Sequence, residues 1–128
     1  MKIATIIVRI LLGLIYVMSS IVVLFNLVKA PEPTGAVKTF MDGMMATKYL
    51  LPFIKITELV CGLLLLSGRF VTLATVMIFP VTLNIFFFHV FVAPEGMITG
   101  VVVLVMNLFL AYACQKNYQT LLAAKIAA

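Results

Sequence analysis

The sequence predicts an all-α fold: a transmembrane four-helix bundle with a short interfacial helix between helices 1 and 2. Three observations carry this expectation. Hydrophobic residues make up 65% of the 128 and charged residues only 10%, with a mean hydropathy of +1.28. A soluble domain is about 45–50% apolar and about 25% charged. The apolar residues gather into four runs, about 3–28, 49–67, 70–92 and 97–114, each near or above the roughly 20 residues that cross a bilayer. Only one connection, 29–48, is long enough to hold structure of its own. A single domain over 1–128 follows.

The first run opens after Lys2, as a signal peptide would. Arg9 interrupts it, it is too long, and no A-x-A-like site closes it, so it reads as a mature helix. The stretch APEPTG then ends it. Val37, Phe40, Met41, Met44 and Met45 recur at helical spacing, with Lys38, Asp42 and Lys48 at the polar edge. This predicts a short helix lying in the membrane interface, with Gly43 as a point of interruption. The turns Ser67-Gly68-Arg69 and Ala93-Pro94-Glu95-Gly96 are tight, so helices 2, 3 and 4 run antiparallel in succession. The tail after Cys114 is expected to extend helix 4 into water.

Nine basic and four acidic residues leave a net charge of +5. The basic residues form no cluster or stripe, which speaks against nucleic acid and for membrane orientation. Lys2, Arg9, Arg69, Lys116 and Lys125 lie on the side of the termini, against Lys29, Lys38 and Lys48 on the other. Both termini are therefore expected in the cytoplasm, with the chain in the inner (plasma) membrane.

Small and polar residues orient the bundle, because membrane helices pack through them. Arg9, Gly13, Tyr16 and Ser20 share a face of helix 1; Lys55, Glu58 and Gly62 share one of helix 2. Gly100, Val103, Asn107, Ala111 and Cys114 share one of helix 4. Pro80 should kink helix 3, with Thr75, Thr82 and Asn84 as replacement partners for the freed carbonyl.

Lys55 and Glu58 are the puzzle. A charge at the centre of a span costs about 2.5–3.5 kcal/mol, while an i,i+3 pair on an exposed helix returns only about 0.2–0.5 kcal/mol. Interhelical partners are needed. By helical rise, Glu58 lies roughly 13 Å and Arg9 roughly 9 Å from the inner ends of their helices, which makes Arg9–Glu58 the expected buried pair. Lys55 falls within reach of Asn84 or of the His89 level, and Asn107 lies near mid-depth. The set Arg9, Lys55, Glu58, Asn84, His89 and Asn107 is thus a candidate ligand-binding pocket or a buried polar network that fixes bundle register. Gly13 and Gly62, one turn from Arg9 and Glu58, either close their helices tightly or leave room for a ring; the expectation is room, opening between helices 2 and 3 at Pro80.

His89, the only histidine, reads either as an interfacial hydrogen-bonding residue or as a donor to a quinone carbonyl. A b-type haem wants two axial ligands, and one His per chain speaks against it. Cys61 and Cys114 form no C-x-x-C and read as small buried thiols. Met41, Met44, Met45 and Met97 with His89 would suit Cu(I), but methionines on an amphipathic face are more simply membrane-seating; no metal is expected. No phosphate loop or nucleophile constellation is present, so the chain carries no self-contained catalytic centre.

Three segments, VRILLGLIYVMSS, YLLPFIKITELVCGLLLLSGRF and PVTLNIFFFHVFVAPEG, together resemble the DoxX family of small four-helix membrane proteins over essentially the whole chain. Pro52, Lys55, Glu58, Gly62 and Gly68-Arg69 match that family's pattern in order and spacing. The chain departs from it after Tyr16, where Ser19-Ser20 stand in place of an expected Gly and Lys. The resemblance implies four spans with both termini inside. Its name-giving member is a subunit of a thiosulfate:quinone oxidoreductase, and others look like accessory or assembly proteins. The leading expectation is therefore an accessory subunit that binds a quinone-like or other amphipathic ligand, or a membrane or soluble partner, for a redox system. The alternatives are a structural or assembly protein without ligand, and a small-solute or proton pathway. A homo-oligomer is compatible with all three.

Overall fold

The computed structural model describes residues 2–27, 32–122 and 124. Lys29 and Lys125, which entered the charge comparison, lie outside these residues. The chain is all-helical: α1 (Lys2–Leu24), α2 (Gly35–Ala46), α3 (Leu50–Ser67), α4 (Val71–Phe91), a 3-10 turn (Pro94–Gly96), α5 (Met97–Ala113), α6 (Gln115–Tyr118) and a second 3-10 turn (Gln119–Leu122).

Four helical segments, Lys2–Leu24, Leu50–Ser67, Val71–Phe91 and Pro94–Ala113, are long and apolar enough to cross a membrane. Only 22% of each span's most apolar window is buried inside the bundle, so most of the greasy surface faces outward and needs hydrocarbon as its solvent. The spans close a ring: α1 packs on α3 and α5, and α4 packs on the same two. Leu12, Tyr16, Cys61, Leu65, Ala74, Ile78, Val103 and Leu110 form the core. The faces oriented by small and polar residues point inward at Gly13, Tyr16 and Ser20 in α1, Glu58 and Gly62 in α3, and Gly100, Val103 and Asn107 in α5.

Local chemistry explains where the helices stop. α1 ends four residues before the expected boundary because Asn26 takes a left-handed conformation (φ 50). The Leu27 N–H then donates to the Val22 carbonyl at 3.1 Å and the Asn26 N–H to Val23 at 3.4 Å, which is a Schellman closure with Asn in the usual glycine place. α3 ends at Gly68 (φ 77), whose N–H donates to Leu64, and the chain reverses within three residues into α4. α2 runs through Gly43 without the expected interruption, since a single glycine costs a helix only about 1 kcal/mol.

The tail does not extend α5. That helix is capped at Cys114, and the short α6 folds back so that the Tyr118 hydroxyl donates to the Ala111 carbonyl at 2.5 Å and Asn117 Nδ2 to Thr72 Oγ1 at 3.0 Å. These bonds hold the tail against the end of α4 and α5.

Candidate functional site

The seam between α1 and α3 carries Arg9, Lys55 and Glu58, half of the six polar candidates. Gly13 and Gly62 let the two backbones meet: a Cβ on Gly13 would stand 3.0 Å from the Gly62 carbonyl oxygen, and one on Gly62 would stand 3.0 Å from that of Gly13. The room expected beside these glycines is not there; they close the seam. One turn above them, Lys55 Nζ donates to Glu58 Oε2 at 3.0 Å and to Ser19 Oγ at 3.1 Å. Ser20 Oγ lies 3.5 Å from the same carboxylate oxygen and 2.6 Å from the Tyr16 carbonyl. Glu58 is 1% exposed, so its charge is held by Lys55 and Ser20 rather than by water.

The expected Arg9–Glu58 pair does not form. Arg9 Nη1 donates to the Leu65 carbonyl at 2.6 Å and approaches that of Leu66 at 3.5 Å. The last carbonyls of a helix have no partner within it and carry its negative end. A half-buried guanidinium close to the membrane surface finds them before it can reach a carboxylate two turns deeper, and Gly68 leaves space for it.

Further polar contacts cross the bundle. The Tyr16 hydroxyl bonds Thr82 Oγ1, linking α1 to α4 through the core. Asn107, fully buried, donates from Nδ2 to the Thr75 carbonyl at 3.3 Å, while its Oδ1 has no partner. Thr75 Oγ1 donates to Val71. Neither threonine therefore serves the carbonyl freed by Pro80. His89 Nδ1 donates to the Ala93 carbonyl at 3.1 Å, and its ring sits against Gly96 and Gly100. That bond closes the end of α4. His89 lines neither cavity of the α3–α4 seam.

The seam between α3 and α4 is open. Two adjoining cavities, about 330 and 200 Å³, lie there beneath α2. Phe40, Met44, Ile54 and Asn84 border both; Pro80 borders the larger and Lys55 the smaller. The Phe40 and Phe88 rings, 4.9 Å apart, join α2 to α4 across the roof. Asn84 is exposed and its amide has no partner among the described residues. Lys55, with three N–H donors, uses two on Glu58 and Ser19 and keeps one. Together they are two donors on an apolar wall, a composition suited to orienting an amphipathic ligand.

Of the six candidates, the structure brings together Lys55 with Glu58, and Lys55 with Asn84 on one cavity wall. Arg9, His89 and Asn107 each sit elsewhere. Ser19 was not among the candidates, although its adjacency to Ser20 one turn after Tyr16 was visible. The aromatic roof of Phe40 and Phe88 has no signature in a single sequence.

A family model described as DoxX matches residues 4–90. The chain belongs to the DoxX family. No curated protein and no solved structure matches it.

The DoxX match covers nearly all of α1 to α4 and stops short of the resemblance read from the sequence, which took in essentially the whole chain. α5, with Asn107, lies beyond it. Every residue that lines the α3–α4 cavities, and every partner of Glu58, lies inside it. In this DoxX-family chain the Ser19-Ser20 pair supplies the bonds that Lys55 and Glu58 need from α1.

Proposed function

We propose that this DoxX-family protein binds a quinone-like amphipathic molecule within the membrane, as an accessory subunit to a redox partner. The observation that supports this is the open α3–α4 seam: an amide without a partner and a spare ammonium N–H, set on apolar walls under an aromatic roof. A quinone head group accepts hydrogen bonds through its carbonyls and donates none. Lys55 and Asn84 are donors of matching sense. Phe40 and Phe88 would flank the ring, and Pro80 borders the cavity on α4. The combined space suits a head group of this size, as ligand sites run from about 300 Å³ upward.

Detergent melts with quinone analogues of several head groups test it. The wild type should melt higher with at least one analogue at saturation. Asn84→Leu should lose that shift while its own melt stays nearly unchanged, and His89→Leu, outside the cavity, should keep it. No shift with any head group would sink the ligand reading.

Glu58 supports a different reading of itself. Its partners are all supplied by the protein, and the glycines beside it exclude a ligand. We take the Lys55–Glu58 pair as architecture that presents the Lys55 ammonium to the cavity. For orientation we propose cytoplasmic termini in the inner membrane, on the basic bias. A cysteine at Thr34 should then react only with reagent added from outside; labelling from the cytoplasm would reverse the assignment.

A further inference from the structure

Another cavity, about 320 Å³, opens at the end of the bundle where α1 stops and α3 starts. Val23, Met44, Leu51 and Pro52 give it an apolar lining, and Asn26 and Lys48 add an amide and an ammonium. Both polar residues sit in left-handed turns, with φ 50 and 67. Each is two residues from a span, Asn26 after Leu24 and Lys48 before Leu50. Their side chains have no partner among the described residues, whereas Lys38 on the same side is tied to Asp42 at 2.9 Å. The spans leave hydrocarbon at this level, which is where the phosphates of a bilayer lie.

We propose that this cavity holds an anionic phospholipid from the surrounding leaflet. Lys48 Nζ and Asn26 Nδ2 donate to its phosphate oxygens, and an acyl chain lies on Val23, Leu51 and Pro52. The charge decides the class of occupant: the cavity offers one cation, one neutral donor and no acid. A lysine at the membrane surface discriminates between anionic and neutral lipid by about fivefold. The proposal does not rest on the quinone reading. The two sites share an apolar wall of Val23, Met44 and Leu51, but Asn84 belongs to one and Lys48 to the other.

Native mass spectrometry of the full chain, from micelles with equal phosphatidylglycerol and phosphatidylcholine, tests it. The wild type should retain phosphatidylglycerol about fivefold over phosphatidylcholine. Lys48→Gln should bring the ratio near one, Lys48→Arg should preserve it, and Lys116→Gln at the opposite end should leave it unchanged. Equal retention of both lipids by the wild type would overturn the proposal without recourse to any variant. A preference that survives Lys48→Gln would overturn it as well. Displacement of the lipid by millimolar inorganic phosphate would mark a site for free anion and overturn the assignment to lipid.

Discussion

α3 turns one face to α1 and another to α4, and the two seams are built in opposite ways. Against α1 it offers Gly62, which admits the backbone of Gly13, and a charge pair whose bonds to α1 go to Ser19 and Ser20. Against α4 it meets Pro80 and Asn84, which leave space and an unpaired amide. The difference teaches that a buried charge need not mark a binding site. Glu58 is the most buried carboxylate and is fully occupied with the fold; the unpaired amide, Asn84, lies across the other seam.

Substitutions can break this contrast. The largest effect should come from Glu58→Gln, which leaves Lys55 without its counter-charge. Removing one member of a buried pair costs about 3–5 kcal/mol, and unfolding in mixed micelles should show a loss of that order. Lys38→Gln removes one member of a pair that is 55% and 65% exposed, and should change stability by no more than about 1 kcal/mol. Coincident curves for the two variants would mean that the α1–α3 seam does not depend on its charges.

Next comes Gly62→Ala. Its Cβ would stand 2.8 Å from Val17 Cγ2 and 3.0 Å from the Gly13 carbonyl oxygen, and overpacking of this kind costs about 1–3 kcal/mol. A variant as stable as wild type would show that the helices part easily, and that the two seams differ less than the geometry suggests. The smallest effect should be that of Asn84→Leu, which gives up no hydrogen bond within the protein. A change within about 0.5 kcal/mol is expected, read from the same unfolding curves. A loss rivalling that of Glu58→Gln would mean that Asn84 belongs to the packed structure.

Much of the fold was legible because hydrocarbon imposes a simple rule on length and composition. The spans at 49–67, 70–92 and 97–114 fall within a residue of the helices at each end. The inward faces followed from Gly13, Tyr16, Ser20, Glu58, Gly62 and Asn107, since small and polar residues gain little from facing lipid. Contacts to backbone were not legible. Arg9 takes the carbonyls of Leu65 and Leu66, and a carbonyl is the same in every residue. The end of α1 was misplaced for a related reason: Asn26 in a left-handed turn looks like any polar residue near a boundary. Gly13 and Gly62 could be placed on facing helices, but sequence does not say whether a glycine opens space or closes it.

The separation of charge partners along the chain bears on how the protein is made. Lys55 and Glu58 are three residues apart, so each has its counter-charge within α3 itself. The Leu65 carbonyl that receives Arg9 lies 56 residues downstream of it. During synthesis from the N-terminus, α1 must wait at the bilayer with an unmatched guanidinium until the last turn of α3 has emerged. A nascent chain halted before residue 65 has emerged should therefore hold α1 loosely, and one long enough to expose Gly68 should lock it.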